Sequence, residues 1–208
     1  MLHHALRAMT KAVVYFVTTA GSGSYLAPTW ATKVTVEAIG GGGKGNGNSQ
    51  ESRRSGGGGG AYAQTTNLTV TGGSTRVYFY VGQTIEDSWV RLNSNAAPTS
   101  TLHGCKAEAG RSGNDSNGGA GGADTASVGT LKYGGADGSI GASAVGGGAA
   151  GDGGAAADQS GGAAITMPGG DGGNFESVGL VPGGGGGGSA TLNNKLAGAV
   201  GCVRITFY

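Results

Sequence analysis

The chain has 208 residues, a formal net charge of +1, and only 12% charged residues. High charge with low hydrophobicity, the usual mark of disorder, is absent, and no basic block suggests a nucleic-acid surface. Glycine, at 49 residues, is about three times its ordinary frequency, so any folded state must use packing that a side chain would prevent.

The first ten residues, Met1–Thr10, carry His3 and His4 without ligand spacing. They suggest a short N-terminal anchor or arm. The apolar run that follows is too short for a signal peptide. Val13-Val-Tyr-Phe-Val17 instead predicts a strand within Lys11–Thr18. Gly21–Ser24 is expected to be a turn. Thr32–Ile39 alternates, with Val34, Val36 and Ala38 on one face and Thr35 and Glu37 on the other. A glycine-rich excursion, Gly40–Gly60, follows, and Arg53-Arg54 within it reads as part of a solvated loop. Ala61–Thr71 is a predicted strand and Gly72-Gly73 a hairpin turn. Thr75–Val81 alternates, with Val77, Phe79 and Val81 opposite Arg76, Tyr78 and Tyr80. Ser88–Leu92 is a further short strand. Strands at this spacing predict an antiparallel sandwich or barrel.

Beyond residue 103 the chain becomes Gly, Ala, Ser, Asp and Asn, interrupted by one strand-like stretch, Val128–Tyr133. It ends on an alternating strand, Cys202–Tyr208, with Val203, Ile205 and Phe207 opposite Arg204 and Thr206. Residues 104–200 are therefore tied at both ends, which disfavours plain disorder. The expected organisation is a sandwich from 11–103 plus 201–208, with 104–200 inserted. Threefold spacing at Gly135, Gly138 and Gly141, and again at Gly148, Gly151 and Gly154, suggests helices of the polyproline-II type, which repeat every three residues without internal hydrogen bonds and which glycine would let lie side by side. These six are the expected scaffold glycines. A glycine-rich β-structure or a floppy loop is the competing reading.

Chemical motifs are weak. Matches to GxGxxG are uninformative at this glycine content, and no helix pattern follows them. Gly40–Lys44 lacks the Ser or Thr of a phosphate loop. Gly169–Asn174 lacks the repeat of a calcium β-roll. Asp171 and Glu176 are the nearest thing to a carboxylate pair. No catalytic residue, cofactor or metal site is expected. Cys105 and Cys202 have no metal spacing; they either pair across neighbouring strands or are unrelated buried thiols. Phe175, a large apolar residue in a polar loop, either plugs the bundle or contacts a ligand. Asn174, Glu176 and Met167 are the other candidate contact residues.

The order of motifs is more specific than the composition. Trp30-Ala-Thr-Lys-Val-Thr-Val-Glu-Ala-Ile-Gly40–Gly43, Gly56–Gly60-Ala-Tyr-Ala, Leu68-Thr-Val-Thr-Gly-Gly and Tyr80-Val-Gly are followed by Gly129-Thr-Leu-Lys-Tyr-Gly-Gly, Gly183–Gly188 and Gly201-Cys-Val-Arg-Ile-Thr-Phe-Tyr. Together they resemble the glycine-rich domain of bacteriophage tail-fibre and other virion appendage proteins, and the glycine-rich extracellular domain of anaplastic lymphoma kinase. The resemblance implies an all-β fold with essentially no α-helix: an antiparallel sandwich like the tumour-necrosis-factor jelly roll, carrying packed polyglycine-II helices. It implies a virion structural protein, a tail or head appendage that is not an enzyme and does not enter the membrane. Its partners would be two further copies of itself in a homotrimer, other virion proteins through the N-terminal segment, and a host surface polysaccharide or outer-membrane protein. The Ala-rich second half and the lack of a long shaft depart from the family pattern. A secreted bacterial surface or matrix adhesion module, extracellular rather than virion-borne, is the alternative.

Overall fold

A computed structural model describes residues 11–163 and 165–208. The expected N-terminal anchor, residues 1–10, lies outside them. Nine strands follow in chain order: β1 Val13–Val17, β2 Gly21–Leu26, β3 Lys33–Ile39, β4 Tyr62–Thr69, β5 Arg76–Val81, β6 Ser88–Leu92, β7 Gly104–Ala107, β8 Leu131–Tyr133 and β9 Cys202–Phe207. They form a five-stranded sheet, β1-β9-β3-β4-β8, and a four-stranded sheet, β2-β5-β6-β7. All neighbours are antiparallel. The described residues include no α-helix, only a 3-10 turn at Glu51–Arg53.

Period-2 alternation places the core. Val34, Val36 and Ala38 of β3 and Val203, Ile205 and Phe207 of β9 face Val77, Phe79 and Val81 of β5 and Val90 of β6. Each such Val, Ile or Phe side chain removed from water stabilises the fold by about 1.5–3 kcal/mol. Aromatic rings knit the two sheets together. Tyr15 of β1 stacks on Tyr25 of β2 with centroids 3.9 Å apart, and Tyr25 stacks on Phe79 at 5.4 Å.

Three local expectations change. Gly21–Ser24 is not a turn but the start of β2, because its backbone pairs with β5. A Cβ at Gly23 would collide with the end of the Phe79 ring, so this glycine makes room for a core aromatic. Gly72-Gly73 does not join a hairpin, since β4 and β5 belong to different sheets. It is a sheet-to-sheet crossover, closed by Thr75 N–H donating to Thr71 C=O (2.8 Å), with Gly73 at φ +72°. Finally, β7 and β8 lie within 104–200 yet complete both sheets, so the layers do not divide at residue 103. The strand-like stretch Val128–Tyr133 narrows to β8, with Val128 making a single bridge to Lys106. Cys105 and Cys202 are free and buried, and burial pushes both thiols above their ordinary pKa.

The glycine segments form a second region. Residues 40–48, 55–61, 108–113, 118–123, 134–139, 145–150, 169–173, 183–188 and 196–201 make no extended ladder beyond isolated bridges, yet they bond to one another throughout. The central segment, 55–61, has a strict three-residue repeat. Gly56 and Gly59 donate to Ser139 and Ala136; Gly57 and Gly60 to Gly186 and Gly183; Gly58 and Ala61 to Arg111 and Glu108. Its carbonyls repeat the pattern. Ser55, Gly58 and Ala61 accept from Asn46, Gly43 and Gly40; Gly56 and Gly59 from Gly119 and Gly122; Gly57 and Gly60 from Gly147 and Ala150. The segment therefore bonds six neighbours, three as donor and three as acceptor, which satisfies a buried backbone outside any helix or sheet.

Glycine is required by this closeness. A Cβ at Gly58 would lie well inside van der Waals contact with Ala120 C=O, and one at Gly135 would do the same to Gly59 C=O. Of the six expected scaffold glycines, Gly135, Gly138, Gly148 and Gly151 are crowded by neighbouring carbonyls in this way. Gly141 and Gly154 differ: a Cβ there meets nothing, and their φ values of +124° and +159° mark turns. Threefold spacing in the sequence thus runs past the packed segments into the turns that end them.

Candidate functional site: the distal loops

The glycine segments leave the sheets and return. Residue 40 follows β3, 61 precedes β4, 108 follows β7, 134 follows β8 and 201 precedes β9. The hydrogen-bond register carries each segment away from the sheets and back again. Gly40 bonds Ala61, Gly43 bonds Gly58 and Asn46 bonds Ser55, so this pair closes around residues 49–54. The same reading places residues 114–117, 140–144, 174–177 and 189–195 at that far end.

These loops hold side chains that cross-link them. Asn46 and Asn48 each donate through Nδ2 to Asp115 Oδ1, at 2.7 and 3.2 Å. Ser55 Oγ donates to Asn114 C=O at 2.8 Å. Arg54 donates through Nε to Asn48 C=O at 2.9 Å and through Nη1 to Ala142 C=O at 3.3 Å. Its guanidinium also sits 5.4 Å from the centre of the Phe175 ring. Glu176 accepts from Ala190 N–H at 2.6 Å and from the Ser189 hydroxyl at 3.1 Å. At the outer surface, Arg53, Ser116, Ile140, Val178 and Leu192 remain exposed.

The predicted contact residues divide. Asn174 and Glu176 are exposed and Phe175 half-buried, all on one distal loop. Asn174 Oδ1 accepts from Gln159 Nε2 at 2.7 Å, and Glu176, at φ +64°, ties its loop to the next. Phe175 rests with one ring face under the Arg54 guanidinium and the remainder partly open to solvent. Met167 does not join them. It is fully buried beside Ile39, Tyr62, Ala149, Ala150 and Cys202, at the sheet end of the bundle, so it presents no contact surface. Arg54 departs from the solvated-loop reading, since its side chain is 11% exposed and links three loops. Nothing local in the sequence marks it, because Ala142 and Phe175 are remote in the chain.

A second polar cluster joins the bundle to the five-stranded sheet. Glu37 of β3, 1% exposed, accepts from Tyr62 Oη (2.7 Å), Gln64 Nε2 (3.1 Å) and both Nε and Nη2 of Arg204 (2.5 Å each). Arg204 also bonds Thr166 Oγ1 and lies 3.5 Å from Asp152. Burial opposes ionisation of Asp152, but hydrogen bonds from Thr166 Oγ1 and from the backbone around Ile165, Met167 and Thr166 outweigh it and hold its pKa below the ordinary value. Burial pushes the Tyr62 hydroxyl up, and the neighbouring Glu37 carboxylate adds to the shift. Among the described residues, no group of three His, Cys, Asp or Glu side chains could hold a metal, and no helix is long and apolar enough to cross a membrane.

Two antiparallel sheets, with a glycine bundle rising from one end and a compact set of loops at its tip, define an all-β glycine-rich protein. The chain belongs to the glycine-rich domain family, whose model matches residues 18–208. Among curated proteins, none matches it.

Proposed function

We propose that the chain is a bacteriophage virion structural protein, an appendage of tail or head that displays its distal loops for attachment to the host cell surface. The observation that carries this reading is the division of labour inside the bundle. The rods contribute almost no side chains, whereas the five loops at their tips are cross-linked into one side-chain-bearing face. A backbone lattice of this kind is a stiff support, and function then rests on the few side chains it holds up.

The rods are polyglycine-II helices in this reading: three residues per turn accounts for donors and acceptors that return to the same neighbour at every third residue. The sandwich takes the jelly-roll arrangement of the tumour-necrosis-factor fold and associates as a homotrimer. The N-terminal segment contacts other virion proteins. The receptor is a host surface polysaccharide or an outer-membrane protein, and the role is binding rather than catalysis.

Particles lacking this chain test the proposal. Negative-stain images should lose an appendage and adsorption should fall at least tenfold. An unchanged outline with intact adsorption overturns it. Recovery of the chain from the medium of uninfected cells, beginning after about Gly21, would instead identify an exported adhesion module.

A further inference from the structure

The outer face of the five-stranded sheet holds an open cavity of about 370 Å³, and no distal-loop residue lines it. That size falls in the range of small-molecule sites. Strand register arranges its floor in two rungs. One runs Arg204–Glu37–Gln64 across β9, β3 and β4, with Phe16 of β1 paired to Arg204 beyond the lining. The other runs Val14–Thr206–Thr35, with Thr66 beside it on β4. Thr166 from the glycine bundle closes one side, and Tyr208 contributes to the lining.

We propose that this groove binds a neutral carbohydrate. Its charges are already committed: Glu37 is saturated by Tyr62, Gln64 and Arg204, and Arg204 by Glu37, Thr166 and Asp152. Two carboxylates against one guanidinium leave a formal charge of −1 there, which disfavours sialylated or phosphorylated ligands. What remains is a row of threonine hydroxyls, Thr35, Thr66 and Thr206, each able to donate and accept. Thr35 and Thr206 are 7% and 9% exposed. Beside them lie apolar surfaces of Val14, Phe16 and Tyr208, which are 56%, 54% and 41% exposed. A pyranose presents this same combination, hydroxyls at its edge and C–H groups on its faces. A peptide is a poorer match, because a sheet face offers no free strand edge for main-chain pairing. The committed ion pair fixes the floor in advance, so less ordering is needed on binding.

The inference goes beyond the attachment reading and stands if that reading fails. Saturation-transfer NMR and calorimetry on the full chain would use maltotetraose, chitotetraose and, as the anionic probe, 3′-sialyllactose. At least one neutral tetrasaccharide should bind more tightly than sialyllactose. Thr35→Val with Thr206→Val keeps side-chain shape and should weaken that binding at least tenfold, with Leu102→Ala, at an exposed position outside the groove, leaving it unchanged. Should the double variant unfold, Tyr208→Ala at an exposed position of the lining is the second probe, with at least a threefold loss expected. No binding by either neutral sugar, stronger binding of sialyllactose, undiminished binding by the groove variants, or a loss caused by Leu102→Ala rather than the groove variants overturns the proposal.

Discussion

The sandwich and the glycine bundle exclude water by opposite means. In the sandwich, Val, Ile and Phe side chains keep the two backbones apart and supply the stability themselves. In the bundle, side chains are mostly absent and carbonyls approach so closely that a methyl group has no room. The sandwich therefore tolerates changes of shape in proportion to the volume altered, whereas the bundle responds almost all-or-none at each glycine. The alanines of the bundle sharpen this contrast. Ala136, Ala144, Ala149 and Ala150 are buried, so a methyl is accepted where a gap between rods faces the residue.

The largest expected effect breaks the central rod. Gly58→Val places three carbons against the Ala120 carbonyl and must separate rods by more than hydrogen-bond reach. Loss of at least about 4 kcal/mol, or no soluble product, is expected in thermal or denaturant unfolding. Gly148→Val, crowded by the Ser160 carbonyl, should behave alike, and an unchanged midpoint for both would remove the packed-rod account. Neighbouring glycines provide an internal control. Gly134→Ala meets its nearest atom, the Gly122 carbonyl oxygen, at 3.5 Å and should shift stability by less than about 0.5 kcal/mol, whereas Gly135→Ala should be severely destabilising. Equal effects at the two positions would mean that composition, not close approach, governs the bundle.

In the sandwich, Phe207→Ala should cost about 3–5 kcal/mol, because it opens a cavity in a fully buried core. The rods should stay associated if the variant folds at all, which hydrogen exchange at Gly57–Gly60 would report. A smaller effect belongs to the junction between the regions. The depressed pKa of Asp152 contributes stability that is complete above the ordinary unfolded carboxyl value, about 3.9, and is lost as pH falls through the folded value. Asp152→Asn should flatten that acid limb of the unfolding curve; parallel pH profiles for variant and parent would exclude this role. Among the side-chain truncations, the smallest change in stability, about 1 kcal/mol, is expected for Phe175→Ala, which gives up a half-exposed contact with Arg54. Its host adsorption should nevertheless fall tenfold or more, and matched losses of stability and adsorption would make Phe175 a structural plug.

Legibility in the sequence followed how local the governing interaction is. Alternation along Arg76–Val81 and Cys202–Phe207 correctly assigns each core-facing side chain, because a strand's two faces are set by consecutive residues. Gly21–Ser24 misleads, because a glycine that makes room for Phe79 reads the same as a glycine that makes a turn. Short strands β7 and β8 lack the length to show alternation, and only their partners Trp89 and Ala63 reveal their place. Met167 looks like a loop residue, yet the loop folds it into a core cluster with Ile39 and Tyr62. Arg54 acquires its role from groups far away in the chain.

What the sequence alone determined is the kind of packing. Forty-nine glycines in runs, with few charges and a terminal strand to tie them down, leave backbone-to-backbone contact as the way to a folded state. The period-2 strands are equally intrinsic. Only the tertiary structure decided which segments become neighbours. Residues 55–61 bond to six segments spread from residue 40 to residue 186, and one glycine run resembles another in its sequence. A glycine carries no side chain to specify a partner, so register is set where side chains resume: in the sheets at one end and in the cross-linked loops at the other.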